Sequence, residues 1–228
     1  MLRKRGLRAP FFLDVFFMFW KDKVYVFDDV VSSSQQEEIE AHFTKAVPWY
    51  FVEDITSVSD AEVHNKRPGF SHPLARDGQL VASKKSASYL QVILGGVFKK
   101  LFEESGVRGQ FAIIQSRAFL QLPLATLTGP EYDNHHIDTF QKHLSVLYYV
   151  CDADGETVLF ENTYQPLGDA SMEDIDRNRP EISALREKLR VEPKRGRVVV
   201  FDGYYWHTAT QPKKGLRCVI NTNIDHYA

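Results

Sequence analysis

Two histidines and one aspartate are spaced along this chain in a way that could hold a metal ion. His136 and Asp138 are separated by one residue, and His207 follows much later, directly after a β-rich run. Residues i and i+2 of an extended strand point to the same face, so the first two side chains would project together. Two imidazoles and a carboxylate on one face of an octahedral metal leave the other face open, as in the facial triad of non-haem iron(II). The spacing therefore predicts iron ligation by these three residues.

One arginine beyond His207 could bind an acid beside that metal. Arg217 directly precedes an apolar run. Inside a barrel its guanidinium would offer a bidentate site for a carboxylate, whereas at a surface strand end it would meet only solvent. Tyr149, in the β-rich run 144–150, could share the same carboxylate through its hydroxyl group or could simply pack in the core. The residues alone leave both interpretations open for each side chain.

The elements that must position these residues change character along the chain. An edge strand is predicted at 23–29, then a helix opened by a capping box of Ser34 and Glu37. A second helix over 84–104 has a broad apolar face and ends at Gly106. Short β-rich runs follow, at 111–122, 144–150, 157–160, 197–201 and 217–224. Helices followed by many strands predict a mostly β fold with supporting helices, built as a sandwich or barrel.

Two segments depart from these runs: 51–82 lacks a clear periodic pattern, whereas 161–192 is polar and charged and could contain a helix that starts at Pro180, with Leu185 and Leu189 on one side. The first is interpreted as a loop with short strands. The second is interpreted as an insertion at the barrel mouth. It is either a mobile flap that covers the substrate, with a flexible hinge at Gly168, or a surface loop without a function. The length suits one domain, 1–228, which we divide into N-terminal strands and helices, 1–110, and a main β core, 111–228.

Composition gives no sign of a nucleic-acid or membrane surface. The 228 residues carry 28 Lys and Arg against 30 Asp and Glu, a formal net charge of −2 at pH 7. Such a near balance predicts neither a nucleic-acid nor a membrane partner. Cys151 and Cys218 lie in or beside apolar runs, which predicts buried thiols in a reducing cytoplasm rather than a disulfide.

The first 20 residues combine a basic start with an apolar run, a pattern that imitates a signal peptide. Asp14 interrupts the apolar core, no small-residue cleavage site follows, and the run is too short to span a bilayer. We expect an additional strand or short helix packed on the domain, or a true start at Met18. The apolar side chains could also contribute to a homodimer contact.

From 111 to 224 the chain resembles the prolyl-hydroxylase-type branch of the 2-oxoglutarate and iron(II)-dependent oxygenases. The matching marks stand in a fixed order: His136-x-Asp138, VLYYV at 146–150, GETVLF at 155–160, PKRGRVVVF at 193–201, His207, and GLR at 215–217. This resemblance implies a double-stranded β-helix, the jelly-roll or cupin-like core. It also implies iron(II) bound by His136, Asp138 and His207, and 2-oxoglutarate bound by Arg217 and Tyr149.

The activity implied by this resemblance is a dioxygenase reaction that consumes O2 and 2-oxoglutarate. The product would be a hydroxylated C–H bond of a peptidyl proline, a free amino acid or a small metabolite, with ascorbate as an optional auxiliary reductant. The chain departs from the usual pattern at Asp154, which replaces the first of two glycines. That difference leaves the metal chemistry intact but puts the substrate in doubt.

Several competing interpretations remain at this point. A cupin-like protein could bind a metal without oxidising anything, and a non-catalytic β-barrel module would bind none. A nucleic-acid demethylase of the same superfamily would carry a second arginine six residues after the first, where this chain has Asn223. His135 is an alternative ligand to His136, but its separation from Asp138 does not give same-face spacing.

Overall fold

The computed structural model describes residues 23–55, 67–106, 110–123, 132–166 and 171–227. Within these ranges eleven strands form two antiparallel sheets. The expectations for the first 20 residues and for a joint at Gly168 lie outside the described residues. No helix within the described ranges is both long and apolar enough to cross a membrane.

The larger sheet has eight strands and confirms most of the predicted β-rich runs. The predicted edge strand forms one border of this sheet, and each neighbouring pair is antiparallel. Their spatial order is β1 (Val24–Phe27), β9 (Val198–Asp202), β6 (Leu144–Tyr149), β11 (Arg217–Tyr227), β5 (Gln110–Gln121), β3 (Gly69–Arg76) and β2 (Tyr50–Val52), with β4 (Gln79–Leu80) paired to β3.

The smaller sheet faces the inner side of the larger one. It consists of β10 (Tyr205–Ala209), β7 (Thr157–Thr163) and β8 (Glu187–Val191), in that order. Two isolated bridges, from Tyr132 to Thr210 and from His136 to His207, extend it on the free side of β10. Side chains of both sheets meet in one buried cluster that includes Leu147, Tyr149, Leu159, Val199, Tyr205 and Val219. Two facing antiparallel sheets make the double-stranded β-helix that the resemblance implied.

Two helices cover the outer side of the larger sheet. Helix α1 (Ser33–Lys45) and helix α2 (Lys84–Ser105) contribute to a second buried cluster together with alternate residues of the central strands. Val146 and Tyr148 of β6 belong to this outer cluster, whereas Tyr149 belongs to the inner one. The alternation follows from the two-residue period of a strand. It places the Tyr149 side chain between the two sheets, a choice that the sequence left open.

The first helix begins two residues earlier than predicted. Ser32, not Ser34, caps it: the Ser32 side chain accepts a hydrogen bond from the backbone N–H of Gln35, whose own side chain returns to the backbone of Ser32. The buried Gln36 amide, in the first turn of the helix, donates to Asp29 Oδ1 at 2.9 Å and to the Val31 carbonyl at 3.1 Å. The second helix matches its prediction and ends at Gly106, which has the left-handed φ of 68°.

Some strands and helices were not predicted. β3 lies in the segment interpreted as a loop with short strands, and its pairing with β5 shifts register after Pro73. The segment 161–192 contains helix α3 (Met172–Arg177) and a 3-10 turn at Ile182–Ala184. The helix predicted from Pro180 does not form, because Leu189 lies in β8, which pairs with β7 in the smaller sheet. The domain division and the flap remain predictions. A flap over substrate would lose protease sensitivity when substrate binds.

Candidate metal centre

The three predicted ligands converge at one end of the space between the sheets. His136 and His207 exchange backbone hydrogen bonds of 2.9 and 3.0 Å, so their side chains lie on the same face. Nε2 of His136 lies 3.9 Å from Oδ1 of Asp138, and Nε2 of His207 lies 3.8 Å from Oδ2. All three ligand atoms lie within 4.8 Å of one another. Asp138 sits at a bend rather than in the strand expected from its spacing to His136.

Both imidazoles are oriented by main-chain carbonyls. Nδ1 of His136 lies 3.0 Å from the Asn134 oxygen, and Nδ1 of His207 lies 3.0 Å from the Tyr205 oxygen. A carbonyl can only accept, so each Nδ1 carries a proton, and the Nε2 atoms are the ring nitrogens directed toward Asp138. Burial, reinforced by the neighbouring His207, lowers the pKa of His136 to about 4. The His136 imidazole is therefore neutral near pH 7, which is the form that ligates metals.

The Asp138 carboxylate is held by three side-chain donors. Oδ1 accepts from Asn221 at 2.8 Å, and Oδ2 accepts from Asn223 at 2.8 Å and from Ser145 at 2.9 Å. Burial alone would raise the pKa of Asp138, but the neighbouring imidazoles and the hydrogen bond from Asn223 outweigh it and hold the pKa below its usual range. The carboxylate is therefore ionised and fixed in orientation.

His135 points away from this cluster. Its Nε2 lies 2.8 Å from the carbonyl oxygen of Pro180, and its ring packs edge-on against Trp206 and Phe160. Among the described residues, the group that could hold a metal contains His136 and not His135.

Arg217 lies buried at the other end of the same space, with 5% of its surface exposed. Its Nε donates to the Gly155 carbonyl at 2.8 Å, Nη1 to Gln121 Oε1 at 2.7 Å, and Nη2 to Thr157 Oγ1 at 2.8 Å. A Cβ atom at Gly155 would lie 2.7 Å from the Thr210 oxygen. The absence of a side chain there allows the close approach that presents the Gly155 carbonyl to the guanidinium.

Tyr149 reaches Arg217 only through Thr157. Its hydroxyl group donates to Thr157 Oγ1 at 2.7 Å, and the side chain is fully buried. Thr157 and Arg217 line the cavity between the sheets, but Tyr149 lies behind them. A contact of Tyr149 with a bound acid therefore remains a prediction, and a supporting role through Thr157 fits its position better.

A buried carboxylate that the sequence did not predict stands beside Arg217. Asp133 pairs with Nε of Arg67 at 2.8 Å, and neither side chain is more than 3% exposed. Asp133 also accepts from Gln211 Nε2 at 2.7 and 2.8 Å and from Gln121 Nε2 at 3.2 Å. Because Gln121 also accepts from Arg217, one polar chain connects the two arginines. Burial raises the pKa of Asp133, and its hydrogen bonds and the two arginines oppose that rise.

A single cavity of about 620 Å³ connects the metal end to the arginine end. That volume is typical of small-molecule sites. Inner-facing residues of β5 and β11 form its floor, and residues of the 132–141 segment form part of its wall. The polar and charged lining residues include Arg76, Asp77, Gln115, Arg117, Gln121, Asp133, His136, Asp138, Thr157, His207, Arg217 and Asn221.

Comparison with known proteins gives structural matches only. No protein-family model matches the sequence, and no curated protein sequence matches it. A 2OG-Fe(II) oxygenase family oxidoreductase from Burkholderia pseudomallei superposes with a TM-score of 0.63 at 15% identity, covering 99% of this chain and 93% of that one. The epimerase SnoN from nogalamycin biosynthesis, in complex with Fe3+, alpha ketoglutarate and nogalamycin RO, gives 0.59 at 12% identity, covering 95% and 84%.

A third similar structure is a prolyl hydroxylase from Trichoplax adhaerens in complex with a hypoxia inducible factor peptide fragment. Its TM-score is 0.54 at 11% identity, and the match covers 90% of this chain and 84% of that one. At such identities a shared architecture establishes the fold and not the reaction. The chain therefore has the double-stranded β-helix fold of the 2-oxoglutarate and iron(II) oxygenases.

Proposed function

We propose that this protein is a 2-oxoglutarate and iron(II)-dependent oxygenase. The observation that carries the proposal is the convergence of His136, Asp138 and His207 in the cavity that also contains the buried Arg217. Two imidazole nitrogen donors and one carboxylate match the ligand preference of non-haem iron(II). The matching fold and the sequence resemblance support the same activity.

The two imidazoles and the Asp138 carboxylate suit an iron ion both in their atom types and in the directions in which they point. Main-chain carbonyls fix both Nε2 atoms toward the Asp138 carboxylate, as expected of metal-binding histidines. Iron(II) held there would supply O2 activation, with one oxygen atom entering the substrate and the other entering succinate as CO2 leaves 2-oxoglutarate. The chain's own residues bind, orient and desolvate the reactants.

Arg217 has the donors that a carboxylate of 2-oxoglutarate requires. A guanidinium carries five N–H groups. Gly155, Gln121 and Thr157 accept three of them, which leaves one N–H on each terminal nitrogen for an incoming acid. Two parallel donors match the two oxygens of a carboxylate. The keto-acid end of the same molecule would then lie toward the metal ligands.

The alternatives differ in what they predict for turnover. A cupin-like protein would bind the metal without consuming 2-oxoglutarate. A nucleic-acid demethylase is disfavoured because Asn223, at the position of its second arginine, is buried and bound to Asp138. The similar structures bind different molecules: one is in complex with a peptide and another with nogalamycin RO. Peptidyl proline, an amino acid and a small metabolite therefore all stay candidate targets of hydroxylation.

Substrate-independent turnover tests the activity directly. Iron(II) and 2-oxoglutarate are added without oxygen, and formation of the ternary complex is followed by its visible charge-transfer absorption. Admission of O2 should then produce succinate and CO2 slowly even without a substrate. Iron binding without succinate above the level of an Asp138→Ala variant would favour the cupin-like alternative and contradict the proposal.

The hydrogen bond from Asn223 to Asp138 should tune the metal affinity. Asn223→Leu keeps a similar volume but removes the donor, and loss of such supporting partners typically costs about 10- to 100-fold in affinity. Iron(II) affinity, measured by competition with a chelator, should fall by that factor. Thr222→Val is the matched control, because Thr222 is equally buried but bonds to Ser116 on the opposite face of β11. Equal losses in both variants would show a general effect on folding instead.

A further inference from the structure

The half of the cavity away from Arg217 contains two arginines to which the proposed reaction gives no role. Cross-strand pairs on the inner face of β5 and β11 run from Gln121 and Arg217 at one end to Arg117 and Asn221 further along. Asn221 is one of the three residues that donate to Asp138, a proposed metal ligand. Directly paired residues of an antiparallel sheet share one face, so Arg117 projects into the cavity beside the metal end.

Arg117 is held in place by two uncharged neighbours. Its Nη2 donates to Gln115 Oε1 at 3.1 Å, and its guanidinium lies 5.5 Å from the ring centroid of Phe119. No carboxylate within the described ranges forms an ion pair with it. The side chain is exposed and lines the cavity, so a bound molecule could reach its remaining donors. A guanidinium fixed by an aromatic face and an amide is prepared to receive an oxyanion.

A second arginine stands next to it on the neighbouring strand. Arg76 of β3 is the cross-strand partner of Gln115 and also lines the cavity. The one acidic side chain at this position among the described lining residues is Asp77, at a turn where φ is 49°. Arg76, Arg117 and Asp77 together leave one excess positive charge on this wall.

The other charges of the described cavity cancel when iron and 2-oxoglutarate are bound. Asp133 is neutralised by Arg67. The two charges of iron(II) and the one of Arg217 balance Asp138 and the two carboxylates of the co-substrate. The excess positive charge on the wall of Arg76 and Arg117 is therefore the charge that a substrate would meet. In a partly enclosed cavity such a charge selects strongly for its opposite.

We propose that the substrate is a small organic acid whose carboxylate or other oxyanion binds Arg117, with Arg76 assisting, while its reacting C–H bond lies at the metal. The inference rests on the proposed function and names the substrate class of that site. A cavity of about 620 Å³, shared with 2-oxoglutarate, suits a small molecule. Ile114, Phe119 and Phe140 supply an apolar surface for the uncharged part of that molecule.

The test compares acids with their neutral counterparts on protein loaded with manganese(II) and 2-oxoglutarate, which supports binding without turnover. The probes are N-acetyl amino acids, their primary amides, small phosphate monoesters and the parent alcohols, with binding followed by calorimetry or ligand-observed NMR. Acids or phosphate esters should bind at least about tenfold more tightly than their neutral counterparts, as expected for a charge-assisted contact. The two anionic arms distinguish a carboxylate from a phosphate.

Arg117→Gln should abolish that preference while leaving the binding of neutral probes unchanged, and Arg76→Gln should reduce it less. Arg195→Gln, at an arginine that pairs with Glu40 of helix α1 and does not line the cavity, is the control and should have no effect. If no anionic probe binds more tightly than its neutral counterpart, or if Arg117→Gln keeps the preference, the substrate proposal is overturned. Failure of manganese(II) and 2-oxoglutarate to bind in the first step would instead overturn the proposed function.

Discussion

Replacement of Asp138 by alanine is expected to abolish tight iron(II) binding and all 2-oxoglutarate turnover. Asp138 supplies the one anionic ligand of the proposed triad, and two imidazoles without that carboxylate would hold iron(II) much more weakly than the full triad. The substitution also leaves three donors, on Ser145, Asn221 and Asn223, without their acceptor. Each unsatisfied buried donor costs about 1–3 kcal/mol, so a lower melting temperature should accompany the loss of metal.

The measurement is iron content and chelator competition on folded protein, checked by circular dichroism. Asp77→Asn serves as the matched control, because Asp77 lines the same cavity but does not belong to the metal group. His136→Ala and His207→Ala should show the same loss as Asp138→Ala. Full iron occupancy in both histidine variants would remove these residues from the site.

Replacement of Arg217 by alanine should raise the Michaelis constant for 2-oxoglutarate by a large factor. Truncating one side of a buried, hydrogen-bonded charge pair costs about 2–5 kcal/mol, or roughly 30-fold to more than 1,000-fold in affinity. Arg217→Lys should recover only part of that loss, since an ammonium group keeps the charge but not the two parallel donors. Tyr149→Phe should have a smaller effect in the same direction, because it removes only the hydrogen bond to Thr157.

Iron affinity measured without 2-oxoglutarate separates this effect from general damage. It should stay close to the wild-type value in Arg217→Lys, since Arg217 is not part of the group that could hold the metal. An unchanged Michaelis constant in Arg217→Ala would place the carboxylate site elsewhere in the cavity.

Local patterns predicted the residues of the candidate metal centre better than the residues that support them. The motif His-x-Asp and the later histidine could be found because their order and spacing can be read directly from the sequence. Asn221, Asn223 and Ser145 act on Asp138 only because β11 pairs with β6 in one register. One sequence signal for Asn221 and Asn223 was available: alternate residues after Arg217 in the predicted strand must share the face of Arg217.

Other misses have similar physical causes. Asp133 and Arg67 lie far apart in sequence, and Arg67 stands in a segment without periodicity, so no local pattern marks their ion pair. β8 was missed because its charged residues resemble a surface loop, although it pairs with β7 along most of its length. The predicted cap at Ser34 was wrong by two residues, since Ser32 and Gln35 form the capping box instead.

The row of inner-facing residues on β11 has a consequence for the length of the co-substrate acid that the proposed site would accept. Arg217 and Asn221 lie on the same strand, four residues apart, and a strand advances about 3.3–3.4 Å per residue. The distance between Arg217 and Asn221, which supports Asp138, is therefore set by the rise of the main chain. β11 is hydrogen-bonded to β5 on one side and to β6 on the other, so it resists stretching. If 2-oxoglutarate bridges the arginine and the metal, the length of this part of β11 determines the length of acid that fits. Side-chain substitutions at either end would then change how tightly an acid is held, while its preferred chain length would stay the same.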